Sequence, residues 1–180
     1  REYIAAGADT IECNTFSANR ISQKEYGTEA LSYIMAREGA AIARRAADSA
    51  GGRRIHVAAS IGPTSKSLSL APDINHPDMR PYSFADMVEA YGEQIRGVID
   101  GGADIIQIET CFDALNTKAA LYALEKISPD GSFPAIVSVS VNDKSGRTLT
   151  GQTVRAFYTS VSHYPLLAFG LNCSLGAEGL

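Results

Sequence analysis

Short runs rich in β-branched residues alternate along this chain with stretches of helical length, and that alternation constrains the fold more than any other feature. Thr10-Ile11-Glu12-Cys13-Asn14 reads as a strand, a helical stretch follows from about Thr28 to Ser49, and His56-Val57-Ala58-Ala59-Ser60-Ile61 reads as a second strand. Ser83 with Asp86 three positions on forms a capping-box variant. Phe84, Met87, Val88, Tyr91, Ile95 and Val98 then recur at helical spacing until Gly101-Gly102 ends the helix. Ala103 to Glu109 is a third strand, followed by a helix from near Asp113 to about Ile127. Ala135 to Val141 is a fourth strand, Val154 to Ser162 a further helix, and Leu166 to Leu171 a fifth strand. No Asn-Gly or Asp-Gly hairpin joins consecutive strands, so the pairing is expected to be parallel through helical crossovers. Two architectures satisfy the pattern: a doubly wound open sheet, or part of an eight-stranded barrel. No G-x-G-x-x-G follows any strand, which weakens a dinucleotide-binding reading.

Two local features refine the pattern. Ala6-Gly7-Ala8-Asp9-Thr10-Ile11 and Gly101-Gly102-Ala103-Asp104-Ile105-Ile106 echo one another, each passing from a helix end through Gly and Asp into a strand, as a repeated unit would. Between Gly62 and Pro81 stand Pro63, Pro72, Pro77 and Pro81, so this long stretch is a loop, and its length points to function.

Lys and Arg total 16 against 20 for Asp and Glu, a net charge of −4 that leaves no electrostatic footprint for nucleic acid or an anionic membrane. With 45% apolar and 20% charged residues over 180 positions, the chain is expected to form one globular domain spanning 1–180. Its apolar runs fall far short of the roughly 20 residues that span a bilayer. The chain opens at Arg1 inside an apparent helix, without initiator Met or signal-peptide pattern, and so reads as an internal fragment of something longer. Cys13, Cys111 and Cys173 are too few and too scattered for a disulfide framework, and a reducing cytoplasm suits them best.

Polar residues gather where the strands end: Cys13-Asn14-Thr15, Ser60, Glu109-Thr110-Cys111, Asn142-Asp143 and Asn172-Cys173-Ser174. In a parallel barrel those ends form the face that carries the active site, although strand ends are also polar simply because turns begin there. Glu109 closes a nearly apolar strand, where a carboxylate is costly unless it is paired; it reads as a ligand for an ammonium, with an ion pair to a loop Arg as the alternative. Cys173 by pattern alone is a small buried hydrophobe, the other reading being a metal thiolate or nucleophile. Cys13 and Cys111 read as packing residues. His56, His76 and His163 read as surface or capping groups, and Arg44-Arg45 and Arg53-Arg54 as cations on a solvated helix end.

A set of motifs then makes a family recognisable. Gly7-Ala8-Asp9 with Glu12-Cys13-Asn14-Thr15-Phe16, Ile61-Gly62-Pro63-Thr64, Ile108-Glu109-Thr110-Cys111-Phe112-Asp113 with Leu115-Asn116-Thr117-Lys118-Ala119-Ala120, Ser145-Gly146-Arg147-Thr148-Leu149-Thr150-Gly151-Gln152-Thr153, and Phe169-Gly170-Leu171-Asn172-Cys173-Ser174-Leu175-Gly176 together resemble the homocysteine S-methyltransferase domain. The closest likeness is to its cobalamin-dependent methionine synthase branch.

That resemblance implies an α/β fold, a partial TIM (β/α)8 barrel of about five parallel βα units. It implies that Cys173 is the catalytic zinc thiolate, the first of three, with the other two in a later Gly-Gly-Cys-Cys segment. It implies that Glu109 meets the homocysteine amino group and that Asn14 and Asn172 line the same pocket; Ser60 and Thr110, polar at the same strand ends, are expected in the substrate-binding set beside them. The N-terminal Asp-Gly-Ala-Met-Gly-Thr segment, whose backbone helps hold the substrate carboxylate in the family, does not occur in this sequence. Cys13 departs from the family, which more often has Thr there.

The chemistry explains those residue types. The thiolate is the nucleophilic form of a thiol, and zinc with three Cys ligands at about 2.3 Å lowers a substrate thiol's pKa while leaving it a fourth position. The implied donor is methylcobalamin, recharged by 5-methyltetrahydrofolate on cobalamin- and folate-binding modules of the same parent chain. The 62–81 loop with Ser69, Pro72, Asp73 and Asn75, and the Arg147–Thr153 string, favour that branch over those using betaine or S-methylmethionine. Three other outcomes stand beside this reading. The isolated 180 residues are expected to show little or no methyl transfer, since one thiolate does not make a tetrahedral site. They are also expected to self-associate through exposed barrel edges. A generic aldolase-like barrel would need a Schiff-base lysine at a strand end, whereas Lys118 and Lys144 fall in a helix and a loop.

Overall fold

In the computed structural model, which describes residues 1–142, 144–176 and 178, five strands form one sheet in the order β1-β2-β3-β4-β5, every neighbouring pair parallel. The strands are β1 (Thr10–Cys13), β2 (His56–Ile61), β3 (Ile105–Cys111), β4 (Ala135–Val139) and β5 (Ala168–Leu171). The helices are α1 (Glu2–Ala5), α2 (Arg20–Gln23), α3 (Ser32–Asp48), α4 (Phe84–Asp100), α5 (Ala114–Ile127) and α6 (Val154–Val161). Strict sequential order excludes a doubly wound sheet, in which the strand order reverses at a switch point. Among the described residues the chain forms part of a (β/α)8 barrel, four consecutive βα units followed by a fifth strand.

The two faces of the sheet differ as a barrel requires. Val57, Ala59, Ile61, Ile106, Ile108, Val137 and Val139 are buried with Ala36 and Ala40 of α3, Tyr91, Ile95 and Val98 of α4, Leu121 and Leu124 of α5, and Phe157 of α6 in one core. Alternate positions turn to the other face, so Gln107, Glu109, Ile136 and Ser138 are only half-buried, lying on the inner wall of an arc that these five strands leave open. Beside β1 runs a groove of about 1090 Å³, bordered by Tyr3, Met35, Ile42 and Phe16, where a further βα unit would pack in a closed barrel.

The repeated Gly-Ala-Asp unit does one job twice. Gly7 and Gly102 adopt φ of +109° and +93°, which turns the chain from α1 into β1 and from α4 into β3. The following aspartates are each held by an arginine: Arg53 Nη1 lies 2.6 Å from Asp9, and Arg44 Nη1 lies 2.8 Å from Asp104, which also accepts from the Val57 N–H at 2.8 Å. Arg44 also donates to the Ile55 carbonyl, and Arg53 to the Ile4 and Ala8 carbonyls. These two cations therefore tie the N-terminal ends of the strands together, a role beyond the solvated face expected for them.

Five boundaries move. Ala103 and Asp104 belong to the turn, where their N–H groups bond to the Val98 and Val57 carbonyls, and β3 instead runs on to Cys111 past an irregularity between Ile108 and Cys111. β4 stops at Val139, and β5 starts only at Ala168. The helix expected from Thr28 begins as a 3-10 turn at Glu29–Leu31 and becomes α-helical at Ser32.

Local capping is as the residues dictate. Ser83 and Asp86 form the reciprocal box on α4, and Asp113 caps α5. The buried Asp113 also accepts from the Ser67 and Ser69 hydroxyls and the Ser69 N–H, while Asn116 holds the Leu68 N–H and the Lys66 carbonyl, so the Pro-rich loop is pinned to the start of α5. Burial alone would push the Asp113 carboxyl up; the hydroxyls of Ser67 and Ser69 and the N–H groups of Ser69 and Leu115 overcome it and hold it below the usual aspartate range. A depressed folded-state pKa contributes stability that is complete above about pH 4 and is lost as pH falls through the lower folded value. Asp113→Ala is expected to cost about 0.5–2 kcal/mol at neutral pH, the range of a lost N-cap, and to flatten the acid limb of the unfolding curve followed by circular dichroism.

Candidate functional site

The inner wall gathers its polar side chains at the C-terminal ends of the strands. Glu109 is half-buried on β3; one of its oxygens accepts from the Ser60 hydroxyl of β2, and the other accepts from Gln107 Nε2 at 3.0 Å. Gln107 Nε2 also lies 3.4 Å from Glu12 Oε1 on β1. No ion pair holds Glu109 among the described residues, so the loop arginine considered as its partner is replaced by two neutral donors. Both donors leave lone pairs of the carboxylate open for a cation.

A second group sits beside it. Asn172, just after β5, accepts at Oδ1 from the Ser138 hydroxyl at 2.7 Å and from the Thr110 N–H at 3.2 Å. Its Nδ2 lies 2.9 Å from Thr110 Oγ1 and 3.1 Å from Cys173 Sγ. One amide thereby bridges β3, β4 and β5 and faces the thiol. Thr110, Cys173 and Ser174 all have positive φ, at +57°, +65° and +63°. Left-handed backbone at non-glycine residues costs roughly 1–3 kcal/mol each and concentrates at functional positions, because it aims side chains that a regular strand would not.

The three cysteines separate cleanly. Cys13 and Cys111 lie in the core on the helix-facing side. Burial pushes the Cys111 thiol up to about 12; it also raises Cys13, whose sulfur is 3.0 Å from Thr15 Oγ1. Both packing expectations hold. Cys173 is free and exposed, so it is not the small buried hydrophobe that pattern alone favours.

Of the expected site residues, Ser60 and Glu109 meet directly, and Thr110, Asn172 and Cys173 form one contact chain that joins them through the peptide between Glu109 and Thr110. Asn14 follows β1 at the same end of the sheet; it is exposed, lines the groove beside β1, and bonds to none of those five among the described residues. Asp143 lies outside the described residues. The sequence reading passed over Glu12, Gln107 and Ser138. The period of two along β3 puts Gln107 on Glu109's face, and that signal was available; Glu12 and Ser138 join only through strand pairing.

No group of three His, Cys, Asp or Glu side chains able to hold a metal occurs among the described residues. Cys173 fits one thiolate of a zinc site, and the set does not go further. No helix among the described residues is long and apolar enough to cross a membrane.

Taken together, the fold and this wall of side chains define a (β/α)-barrel segment with a candidate site at the C-terminal strand ends. The sequence model of the family described as homocysteine S-methyltransferase matches residues 1–180. The chain belongs to that family. Its fold is similar to that of the homocysteine methyltransferase MmuM from Escherichia coli, in a metallated form (TM-score 0.77, 23% identity, 99% of this chain and 62% of that one). An oxidized form matches with a TM-score of 0.75, 23% identity and coverage of 96% and 59%, and an apo form with 0.71, 20%, 99% and 60%. The chain thus spans about three-fifths of the length of the solved structures it matches.

Proposed function

We propose that this chain is the homocysteine-binding part of a zinc-dependent S-methyltransferase, which activates the homocysteine thiol for transfer of a methyl group and yields methionine. The observation that carries the reading is the contact chain from Ser60 and Glu109 through Thr110 and Asn172 to Cys173, in a member of the homocysteine S-methyltransferase family. Glu109 receives the substrate ammonium, with Ser60 and Gln107 holding its carboxylate in place. Asn172 orients Cys173 and keeps the left-handed turn that exposes its sulfur. Asn14, at the same strand-end face, lines the approach. Zinc on three thiolates would keep a substrate thiol deprotonated at neutral pH. Cys173 is one such donor, and no Gly-Gly-Cys-Cys segment for the other two occurs within these 180 residues.

The methyl donor in this reading is methylcobalamin, with 5-methyltetrahydrofolate as the ultimate source, both handled by other modules of the parent chain. The 62–81 loop and the Arg147–Thr153 string support that branch over betaine or S-methylmethionine. A reducing cytoplasm suits three free thiols.

The 180 residues alone are expected to transfer no methyl group and to hold well under one zinc per chain by atomic absorption. Joined to a segment carrying Gly-Gly-Cys-Cys, they are expected to take up about one zinc with sulfur ligands visible by X-ray absorption, and to lose it in Cys173→Ser. Zinc uptake that Cys173→Ser leaves untouched would overturn the assignment. The open β1 and β5 edges and the groove beside β1 support self-association of the isolated chain, readable by analytical ultracentrifugation.

A further inference from the structure

We infer that Glu12 is a positioning residue that adds a second carboxylate beside Glu109 for a bound ammonium, acting through the Gln107 amide that lies between the two side chains. The inference rests on the reading of Glu109 as the ammonium ligand and adds to it a residue outside the set the family resemblance implies.

The geometry begins with Ala58. Glu12 on β1 is in register with Ala58 on β2, and Gln107 on β3 with Ser60 two residues further along β2, so the two side chains lean toward each other diagonally over the small residues Ala58 and Ser60. Neighbouring strands stand about 4.8 Å apart, so β1 and β3 are nearly 10 Å apart. Only long side chains span that distance, and only over a small residue. Glu12 and Gln107 do so, with Glu12 Oε1 at 3.4 Å and Glu109 Oε2 at 3.0 Å from the same Nε2. A single amide hydrogen-bond donor group thus couples two carboxylates.

Two carboxylates this close do not both ionise freely. Although Glu12 keeps an exposed face, partial desolvation pushes its carboxyl up to about 7, helped by the hydrogen bond and charge of Glu109 and opposed by the Ser60 hydroxyl. Among the groups around Glu12, β3 contributes the Glu109 charge and β2 only the neutral Ser60 at this level. Arg1, Tyr3 and Glu38 line the groove along β1, and Cys13 sits on the opposite face of that strand. Near pH 7 Glu12 is therefore protonated in about half of the molecules, and an arriving ammonium displaces that proton to solvent. The site then holds two carboxylates against one cation. By linkage, affinity for the ammonium rises with pH across the Glu12 titration.

The test follows the 13C resonances of glutamate side-chain carboxyls in the 180-residue chain. The Glu12 midpoint is expected near 7, and Glu109→Gln is expected to lower it, since a neutral amide replaces the charge while burial remains. L-methionine carries the same ammonium without a titrating thiol; its affinity, read by the same spectra, is expected to rise about tenfold from pH 6 to pH 8. In Glu12→Gln that rise is expected to vanish while binding persists, an outcome a merely structural role would not produce. A Glu12 midpoint in the ordinary carboxylate range, or one that Glu109→Gln leaves in place, would overturn the inference. Methionine binding that Glu109→Gln does not weaken would instead sink the ammonium reading, and the carboxyl titration would still decide whether Glu12 is coupled to Glu109.

Discussion

Glu109→Gln is expected to weaken homocysteine binding by about 2–5 kcal/mol in the assembled enzyme, the cost of removing one partner of a desolvated, hydrogen-bonded charge pair. The amide keeps the shape of the carboxylate and still accepts from Ser60, so the fold should survive unchanged. What disappears is the negative charge opposite the ammonium. The comparison that isolates it is 4-mercaptobutyrate, which lacks the amine. Calorimetry should find that ligand bound equally by wild type and variant, because neither offers it a charge pair. An equal loss for both ligands would mean that Glu109 supports the site's shape rather than recognising the amine.

The second large effect lies in the packing that brings the strand ends together. Gly97 in the last turn of α4 and Gly101, the C-cap residue just past it, stand one turn apart and face Ala36 and Ala40 of α3. A Cβ at Gly97 would lie 2.7 Å from the Tyr33 carbonyl and 2.9 Å from the Ala36 Cβ; at Gly101 it would lie 2.3 Å from the Arg37 carbonyl and 2.7 Å from the Ala40 Cβ. Neither residue has positive φ, and at Gly97, inside the helix, propensity by itself says that Ala should stabilise by about 1 kcal/mol. Backbone atoms cannot yield as a flexible side chain does. Gly97→Ala and Gly101→Ala are therefore each expected to destabilise by about 1–3 kcal/mol, the range of overpacking, at Gly97 against the propensity trend. Urea titration decides the sign, and a gain in midpoint for either variant would show that α3 and α4 can move apart without loss.

Much of the fold was legible because it is local. The Ser83–Asp86 box, the Asp113 cap and the Gly-Ala-Asp turns depend on residues within a few positions of each other, and each formed as the pattern required. β2 and α4 were bounded to within a residue for the same reason. The misplaced ends of β3, β4 and β5 depend on where a partner strand stops pairing. The Asn142–Arg147 contact that draws the chain away from β4, for example, is made outside the strand itself. The candidate site divides in the same way. Ser60, Glu109, Thr110, Asn172 and Cys173 stood out as polar residues at strand ends, and their motifs carried the family.

By itself, the amino-acid sequence determined that β and α units alternate, that their pairing is parallel, and that a carboxylate and a thiol stand at the ends of two strands, because periodicity and capping are properties of neighbouring residues. The choice between barrel and doubly wound sheet belonged to tertiary structure, since strand order is not encoded in any one segment. So did the separation of exposed Cys173 from two thiols sealed in the core, the strain at Thr110, and the diagonal meeting of Glu12 with Gln107 over β2. Those outcomes arise from register between strands tens of residues apart, where a shift of one position would turn every side chain to the opposite face.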